Sequence, residues 1–344
     1  MFSIIRPFIF NLDPEMAHDL AIKSLKLNLI PNNIFQIKDE DKLETKVFGQ
    51  KIRNPIGLAA GFDKSAEVYN SFFKLGFGFV EVGTITPRRQ LGNPKPRVFR
   101  LEKDRALINR LGFNNHGLDL IIKRISKNPP KGMLGINIGP NSDTKDKSDD
   151  FVECLSKIHK FANYLTINIS SPNTVGLRDF HEKKSLDFLL NKIFKLKIPK
   201  PICLKISPDI DYQDVSQIIE LAKKFNINGL IISNTTIENR EELKDTKKSE
   251  EGGLSGQPLK HVSTKMIKEF YNGTNKKITI IGVGGVDSGE SAFEKISAGA
   301  SAIQLYTGMI FRGPTIARDI KNELISILKR ENIKNVSDAV GLNT

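Results

Sequence analysis

The sequence of 344 residues predicts an α/β fold, a (β/α)8 TIM barrel with an N-terminal helical arm. Three observations predict it. From residue 54 onward, eight short apolar runs each precede a helical period, the pattern of parallel strands joined by crossover helices. The glycine fingerprint that an open doubly wound sheet carries after its first strand is missing. No low-complexity linker splits the repeat, so residues 41–344 read as one barrel domain and residues 1–40 as the arm.

The arm opens with MFSIIRPFIF, seven apolar residues in ten, interrupted by Arg6 and Pro7. The run is too short to span a bilayer, and no small-residue cleavage site follows to mark a signal peptide. Asp13-Pro14-Glu15 is a helix start: a capping carboxylate, a proline in the first turn and an acid near the positive end of the dipole. Ala17, Leu20, Ala21 and Leu25 share one apolar stripe, and Pro31 is expected to end the element. Such an arm either packs over the core or lies against a membrane surface. LETKVFGQKI then reads as a hairpin around Gly49-Gln50.

The barrel strands are expected at 54–59, 78–83, 133–138, 164–169, 201–206, 229–234, 278–283 and 301–306. Helical periods fall at 65–75, 115–127, 149–162, 183–195, 211–225, 258–271, 288–298 and 314–330. Two connections, 84–114 and 235–257, are longer than usual, and long loops in a compact domain tend to be functional.

Composition excludes several chemistries. Cys154 and Cys203 fall inside elements without CxxC spacing, so neither a disulfide framework nor an iron–sulfur cluster is expected. The five histidines lack ligand spacing, and no metal is expected. The formal charge of +13 comes from scattered lysines rather than a basic run interleaved with aromatics. It reads as a solvated basic surface, and no nucleic-acid partner is expected.

In a barrel of this kind the C-terminal strand tips build the site. Here they carry Ala60-Gly61 and Lys64, then Thr84, Asn137, Asn168 with Ser171, Lys205, and Ser233-Asn234-Thr235. Small residues let a flat ligand approach the backbone, and repeated amides both donate and accept, which suits a polar planar ligand such as an imide or a carboxylated pyrimidine. The last two tips read GVGG, with Gly285, and Tyr306-Thr307-Gly308. Glycine amides in the loops after strands seven and eight are the usual phosphate site of a barrel. A phosphorylated planar cofactor follows, and FMN fits. Lys205, pointing into the barrel, would stabilise negative charge on a flavin.

AAGFDK, VGTITP, NRLGFNN, GINIG, NISSPNT, LKISPD, SNTT, GGLSG, GVGGV and QLYTG occur in this order, and the chain from about residue 50 to 315 resembles dihydroorotate dehydrogenase. The resemblance implies oxidation of (S)-dihydroorotate to orotate on FMN, in pyrimidine biosynthesis. Serine at the base position, here Ser171, together with an N-terminal arm, marks the quinone-linked class 2 enzymes. It implies FMN contacts from Ala60, Gly61, Lys64, Thr84, Asn137, Asn168, Lys205, Ser233, Gly256, Gly285, Tyr306 and Thr307. Substrate contacts would come from Lys64, Asn109, Arg110, Leu111, Gly112, Phe113, Asn168, Asn173, Asn234 and Thr235. Ser171 would take the C5 proton while hydride leaves C6, with Thr174 and a water as its proton path and Lys64 meeting the carboxylate. Phe62 stands where leucine is expected in the first-tip loop, a change expected to be harmless. His18, Arg100 and Tyr306 would form the inner end of a quinone site, for ubiquinone or menaquinone. The expected location is peripheral, on the cytoplasmic face of a bacterial inner membrane, with the arm on the membrane surface.

Two other readings fit less. A flavin-dependent RNA dihydrouridine synthase would suit the charge, but it needs a catalytic cysteine on a loop and an added RNA-binding domain, and neither is evident. The other is a non-enzymatic phosphate-binding barrel, because fold does not fix function.

Overall fold

The computed structural model describes residues 2–27 and 40–344. Eight parallel strands close into a barrel in chain order: β3 (Ile56–Leu58), β4 (Phe79–Ile85), β7 (Met133–Ile138), β8 (Tyr164–Asn168), β9 (Ile202–Ile206), β10 (Gly229–Ile232), β12 (Thr279–Val283) and β13 (Ala302–Leu305). Closure is made by Ile303 opposite Ile56 and Leu305 opposite Leu58. Strands buried on both faces read as nearly continuous apolar runs, which is why they stand out in the sequence.

The outer helices are α3 (Tyr69–Lys74), α4 (Leu118–Lys127), α5 (Lys147–Ile158), α6 (Lys183–Phe194), α7 (Tyr212–Lys224), α8 (Lys260–Gly273), α9 (Gly289–Ser297) and α11 (Ile316–Arg330). Each turns an apolar stripe to the sheet. In α11, Ile316, Ile320, Leu324 and Ile327 are buried at helical spacing. A further short helix, α10 (Thr307–Arg312), follows β13 directly.

The hairpin β1 (Thr45–Val47) and β2 (Gln50–Ile52) closes the bottom of the barrel. Val47 pairs with Gln50, so the turn is Phe48-Gly49 rather than Gly49-Gln50. Both turn residues have positive φ, 51° and 74°, as a two-residue hairpin of this twist requires. Phe48 accepts that conformation because its ring packs on Tyr164 inside the barrel, 5.2 Å between centroids.

Above that plug lies a buried polar layer. Glu81 accepts hydrogen bonds from Asn137 Nδ2 (2.8 Å), the Tyr164 hydroxyl (2.8 Å) and Gln304 Nε2 (3.0 Å). A carboxylate this deep is tolerable only with such partners.

The two long connections are not plain loops. They form an antiparallel sheet of β5 (Val98–Leu101), β6 (Ala106–Asn109) and β11 (Gly253–Gly256) over the barrel mouth. The pairing of Ile108 with Leu254 joins segments far apart in sequence, so no local periodicity announces it.

The arm forms α1 (Phe2–Phe10) and α2 (Pro14–Lys26). Helix α1 runs through Pro7. Asp13 caps α2 as expected, accepting from the Glu15 and Met16 amides at 2.9 and 3.1 Å. The helix ends at Lys26, and Pro31 lies outside the described residues. No helix among the described residues is long and apolar enough to cross a membrane.

Candidate active site

The strand tips converge on an inner cavity of about 150 Å³. Its wall includes Ala60, Gly61, Lys64, Thr84, Asn168, Lys205, Ser233, Gly256, Gly285, Tyr306 and Thr307. Asn109, Leu111, Gly112, Phe113, Ser171, Asn173, Asn234 and Thr235 line the same cavity. Three expected residues do not. Asn137 is fully buried one layer below, bonded to Glu81 and accepting from Thr84 Oγ1 at 2.7 Å. Arg110 turns outward, where it pairs with Glu250 (2.9 Å) and stacks over Phe99. Thr174 is buried off the cavity wall.

The amides form two hydrogen-bonded groups. Asn168 Nδ2 donates to Thr84 Oγ1 and Asn137 Oδ1, both 3.1 Å, while its Oδ1 accepts from Ser170 Oγ at 3.0 Å. Asn234 Nδ2 donates to Ser170 Oγ at 2.9 Å. Asn173 Nδ2 donates to the Asn109 carbonyl at 3.1 Å. Each side chain is therefore fixed by a neighbour from another strand, a condition for a precise binding cup. Ser170 was not singled out from the sequence; its adjacency to Ser171 was the available signal.

Ser171 is buried in the wall, and its Oγ accepts a long bond of 3.3 Å from the Asn173 amide. Among the described residues, no histidine or carboxylate hydrogen-bonds to that hydroxyl. Lys205 is buried and has no hydrogen bond or ion pair among the described residues. Burial pulls its pKa below the ordinary lysine value, with Glu81 opposing the shift. An unpaired ammonium in such a place is costly without an anionic or electron-rich partner. The amides of Gly284, Gly285 and Val286 likewise have no acceptor among the described residues. Gly285 must stay glycine, at φ 71° and with a Cβ position 2.5–2.9 Å from Lys260 atoms. A partnerless cation beside the polar cup and a run of open amides at its far end suit a planar group ending in a phosphate.

A second cavity of about 760 Å³ runs between the arm and the barrel. Ile5, Ile9, Ala17, Ala21, Leu25, Phe62 and Met309 make most of it apolar. It shares Lys64, Val98, Leu107, Leu111, Asn114 and Tyr306 with the inner cavity, so the two adjoin. His18 and Arg100 stand on its wall with Tyr306. His18 is neutral: burial, then the nearby Lys64 charge, hold its pKa at about 3. Phe62 packs edge-on against both His18 (4.8 Å) and Tyr306 (5.6 Å), so this position shapes the junction. Arg100 Nη1 donates to the Phe10 and Leu12 carbonyls, both 2.9 Å, and so fastens the end of α1. Arg97, not foreseen, lines the tunnel in a forked pair with Glu15 of α2, at 3.0–3.2 Å. Burial first, then Arg97, lower the Lys64 pKa to about 8, against Glu15. Among the described residues no cluster of His, Cys, Asp or Glu could hold a metal ion.

Residues 42–328 match the protein family described as Dihydroorotate dehydrogenase. The chain is 47% identical to the mitochondrial dihydroorotate dehydrogenase (quinone) of Mus musculus, over 96% of this chain and 87% of that protein. It is 45% identical to the dihydroorotate dehydrogenase (quinone) of Bartonella henselae, over 96% and 93% of the two chains. Among solved structures, the Eimeria tenella enzyme in complex with ferulenol superposes with a TM-score of 0.92 at 42% identity, covering 96% of each chain.

Proposed function

The chain belongs to the dihydroorotate dehydrogenase family, and from that premise we propose how its residues carry out the oxidation of (S)-dihydroorotate to orotate with a membrane quinone. The observation that carries the reading is the pair of adjoining cavities, an inner one into which amide, hydroxyl and ammonium groups converge and an outer one lined by the aliphatic and aromatic side chains of the arm, meeting at Lys64 and Tyr306. A polar acid and a greasy oxidant need different solvents, and the two walls supply them.

FMN, held in the inner cavity, would supply the redox chemistry, a hydride acceptor for dihydroorotate and a two-electron donor for the quinone. Lys205 would lie against its ring, and the open amides of Gly284, Gly285 and Val286 would receive its phosphate. Lys64 offers an ammonium to the substrate carboxylate. Asn109, Asn168, Asn173 and Asn234, with Thr235, match the donors and acceptors of the pyrimidine ring. Ser171 Oγ is the base: it takes the C5 proton as the C6–H bond breaks, so the new double bond forms between C5 and C6. An unassisted hydroxyl is a weak base, and its proton leaves through water, with Thr174 buried close behind in the same loop. The quinone ring would stop against His18 and Tyr306, its chain along the apolar wall. The arm would rest on the membrane, and the enzyme would sit peripherally, on the cytoplasmic face of a bacterial inner membrane.

The test is spectroscopic. The purified protein should show flavin absorption bands that bleach anaerobically with dihydroorotate and return on adding a ubiquinone or menaquinone analogue. A flavin that NADH bleaches and dihydroorotate does not would sink the reading.

A further inference from the structure

Arg178 lines neither cavity, yet its guanidinium ties together three loops, two of which line the inner cavity. Its Nε donates to the Ser170 carbonyl at 3.3 Å, Nη1 to Asp209 Oδ2 at 3.0 Å, and Nη2 to the Thr235 carbonyl at 3.4 Å. These partners follow β8, β9 and β10 respectively. Asp209 is itself held: one carboxylate oxygen accepts from the Thr236 hydroxyl, the other from the Ile237 amide at 2.9 Å. The pair is shielded, with side-chain exposures of 22% for Arg178 and 6% for Asp209. An ion pair in open water would be worth little; this one is largely shielded, and the same guanidinium also serves two backbone carbonyls.

His181 fastens the same turn. Its Nδ1 meets the Arg178 carbonyl at 3.0 Å, and the Ser207 amide donates to its Nε2 at 3.4 Å. A carbonyl only accepts and an amide only donates, so the ring is neutral with its proton on Nδ1.

Between these anchors the Ser170 and Asn173 side chains bond to Asn168, Asn234 and Asn109, but Ser171 itself is held less firmly. Ser171 Oγ has its single long bond to the Asn173 amide, Val175 is exposed, and Gly176 sits at φ 68°. We propose that the Arg178–Asp209 pair is a positioning device that holds the Ser170 carbonyl and thereby aims Ser171 at the substrate's C5. The proposal rests on the function given above. One planar, always-charged group with a fixed fork can serve three acceptors at set angles, whereas an ammonium cannot. A base misplaced by about 1 Å loses roughly 100-fold in rate.

The experiment compares Arg178→Gln, Arg178→Lys, Asp209→Asn and the double variant Arg178→Gln/Asp209→Asn as flavin-loaded proteins. Arg178→Gln should keep its flavin content, its reoxidation by a short-chain quinone within about twofold, and its orotate affinity within about threefold. Its anaerobic reduction by dihydroorotate should fall about 10- to 100-fold. The deuterium isotope effect at C5 should rise relative to that at C6, because removal of the C5 proton becomes the slower event. Arg178→Lys should not rescue the rate. Asp209→Asn should show the same pattern to a smaller degree, and the double variant should be no slower than Arg178→Gln. Should Arg178→Gln not fold, Asp209→Asn carries the same comparison. Variants reduced at the parent rate overturn the proposal. So does a loss shared equally by flavin content, orotate affinity and reoxidation, which would assign the pair to general stability. A parent protein that dihydroorotate does not reduce indicts the functional reading instead.

Discussion

Ser171 and Lys205 carry the sharpest expectations at the level of single residues. Ser171→Ala removes the hydroxyl and leaves its neighbours in place, because the amide chain runs through Ser170, Asn168 and Asn234 instead. FMN should stay bound while flavin reduction by dihydroorotate falls about 10²–10⁴-fold, the worth of a positioned base. Anaerobic stopped-flow measures it, and an unchanged rate would mean that another group takes the proton. Lys205 makes an opposite pair of demands. In the flavin-free barrel its ammonium is buried without a partner, a destabilising arrangement. Lys205→Met should therefore raise the melting temperature of the flavin-free protein. The same change should weaken FMN retention and lower the flavin's reduction potential, since a cation beside the ring is lost. A variant that keeps both full FMN content and the parent potential would contradict the role.

At the level of elements, the arm and the mouth sheet separate the two half-reactions. Within residues 1–35, Arg6, Lys23 and Lys26 balance Asp13, Glu15 and Asp19, so charge is not what would bind this segment to an anionic bilayer. Ile4, Phe8, Met16 and Leu20 are exposed apolar side chains on α1 and α2, and Leu27 at the end of α2 is exposed too. At about 25 cal/mol per Å², a few hundred Å² inserted in lipid gives several kcal/mol, enough for reversible attachment. Deleting residues 1–35 removes more than a third of the residues lining the tunnel and the Glu15 partner of Arg97, but no part of the inner cavity. Flavin reduction by dihydroorotate should persist, while reoxidation by a long-chain quinone and co-sedimentation with liposomes should both collapse. Equal losses in the two half-reactions would make the arm only a brace. In the mouth sheet, a Cβ at Gly253 would lie 2.0 Å from Thr235 Oγ1 and 3.2 Å from Pro172. Gly253→Ala should push Thr235 out of the cup and weaken orotate binding about tenfold or more, as titration of the flavin spectrum would show, with quinone reoxidation untouched.

For the whole molecule, two histidines, His181 buried and His18 half-buried, set an acid limit on stability. Burial holds His181 at about 4 and His18 at about 3, below the ordinary 6.5. Unfolded, both take a proton as pH drops below 6.5; folded, they do not until about 4 and 3. The unfolded state thus binds more protons across that window, and stability is full above 6.5 and falls as pH drops toward the folded values. Each group contributes about 1.4 kcal/mol per pH unit over its window. Urea unfolding at pH 7 and pH 5 should show the loss, and His181→Gln should flatten part of the slope. An unaltered slope in that variant would place the acid sensitivity elsewhere.

The barrel was legible in the sequence because its signals are local. Strands buried on both faces stay apolar from end to end, helices repeat every 3.6 residues, and the Asp13 cap and GVGG loop announce themselves in a few residues. The strand-tip residues followed from that count alone: once eight strands are numbered, Lys64, Ser171, Lys205 and Thr235 fall at the mouth. What only the tertiary structure decided is which of them meet. Arg110 faces away and Asn137 sinks a layer because Glu250 and Glu81, distant in sequence, offer better partners than the cavity does. Glu81 and Gln304, polar residues inside apolar strands, were the available hint of a buried polar layer, but a strand pattern cannot say which face points inward. The pairing of β6 with β11, the Arg97–Glu15 fork and the Arg178–Asp209 clamp join segments that chain periodicity treats as unrelated. Local sequence writes the elements, since their preferences are set within a few residues; the contacts that aim a base or seat an arm are long-range, and they exist only once the barrel has closed.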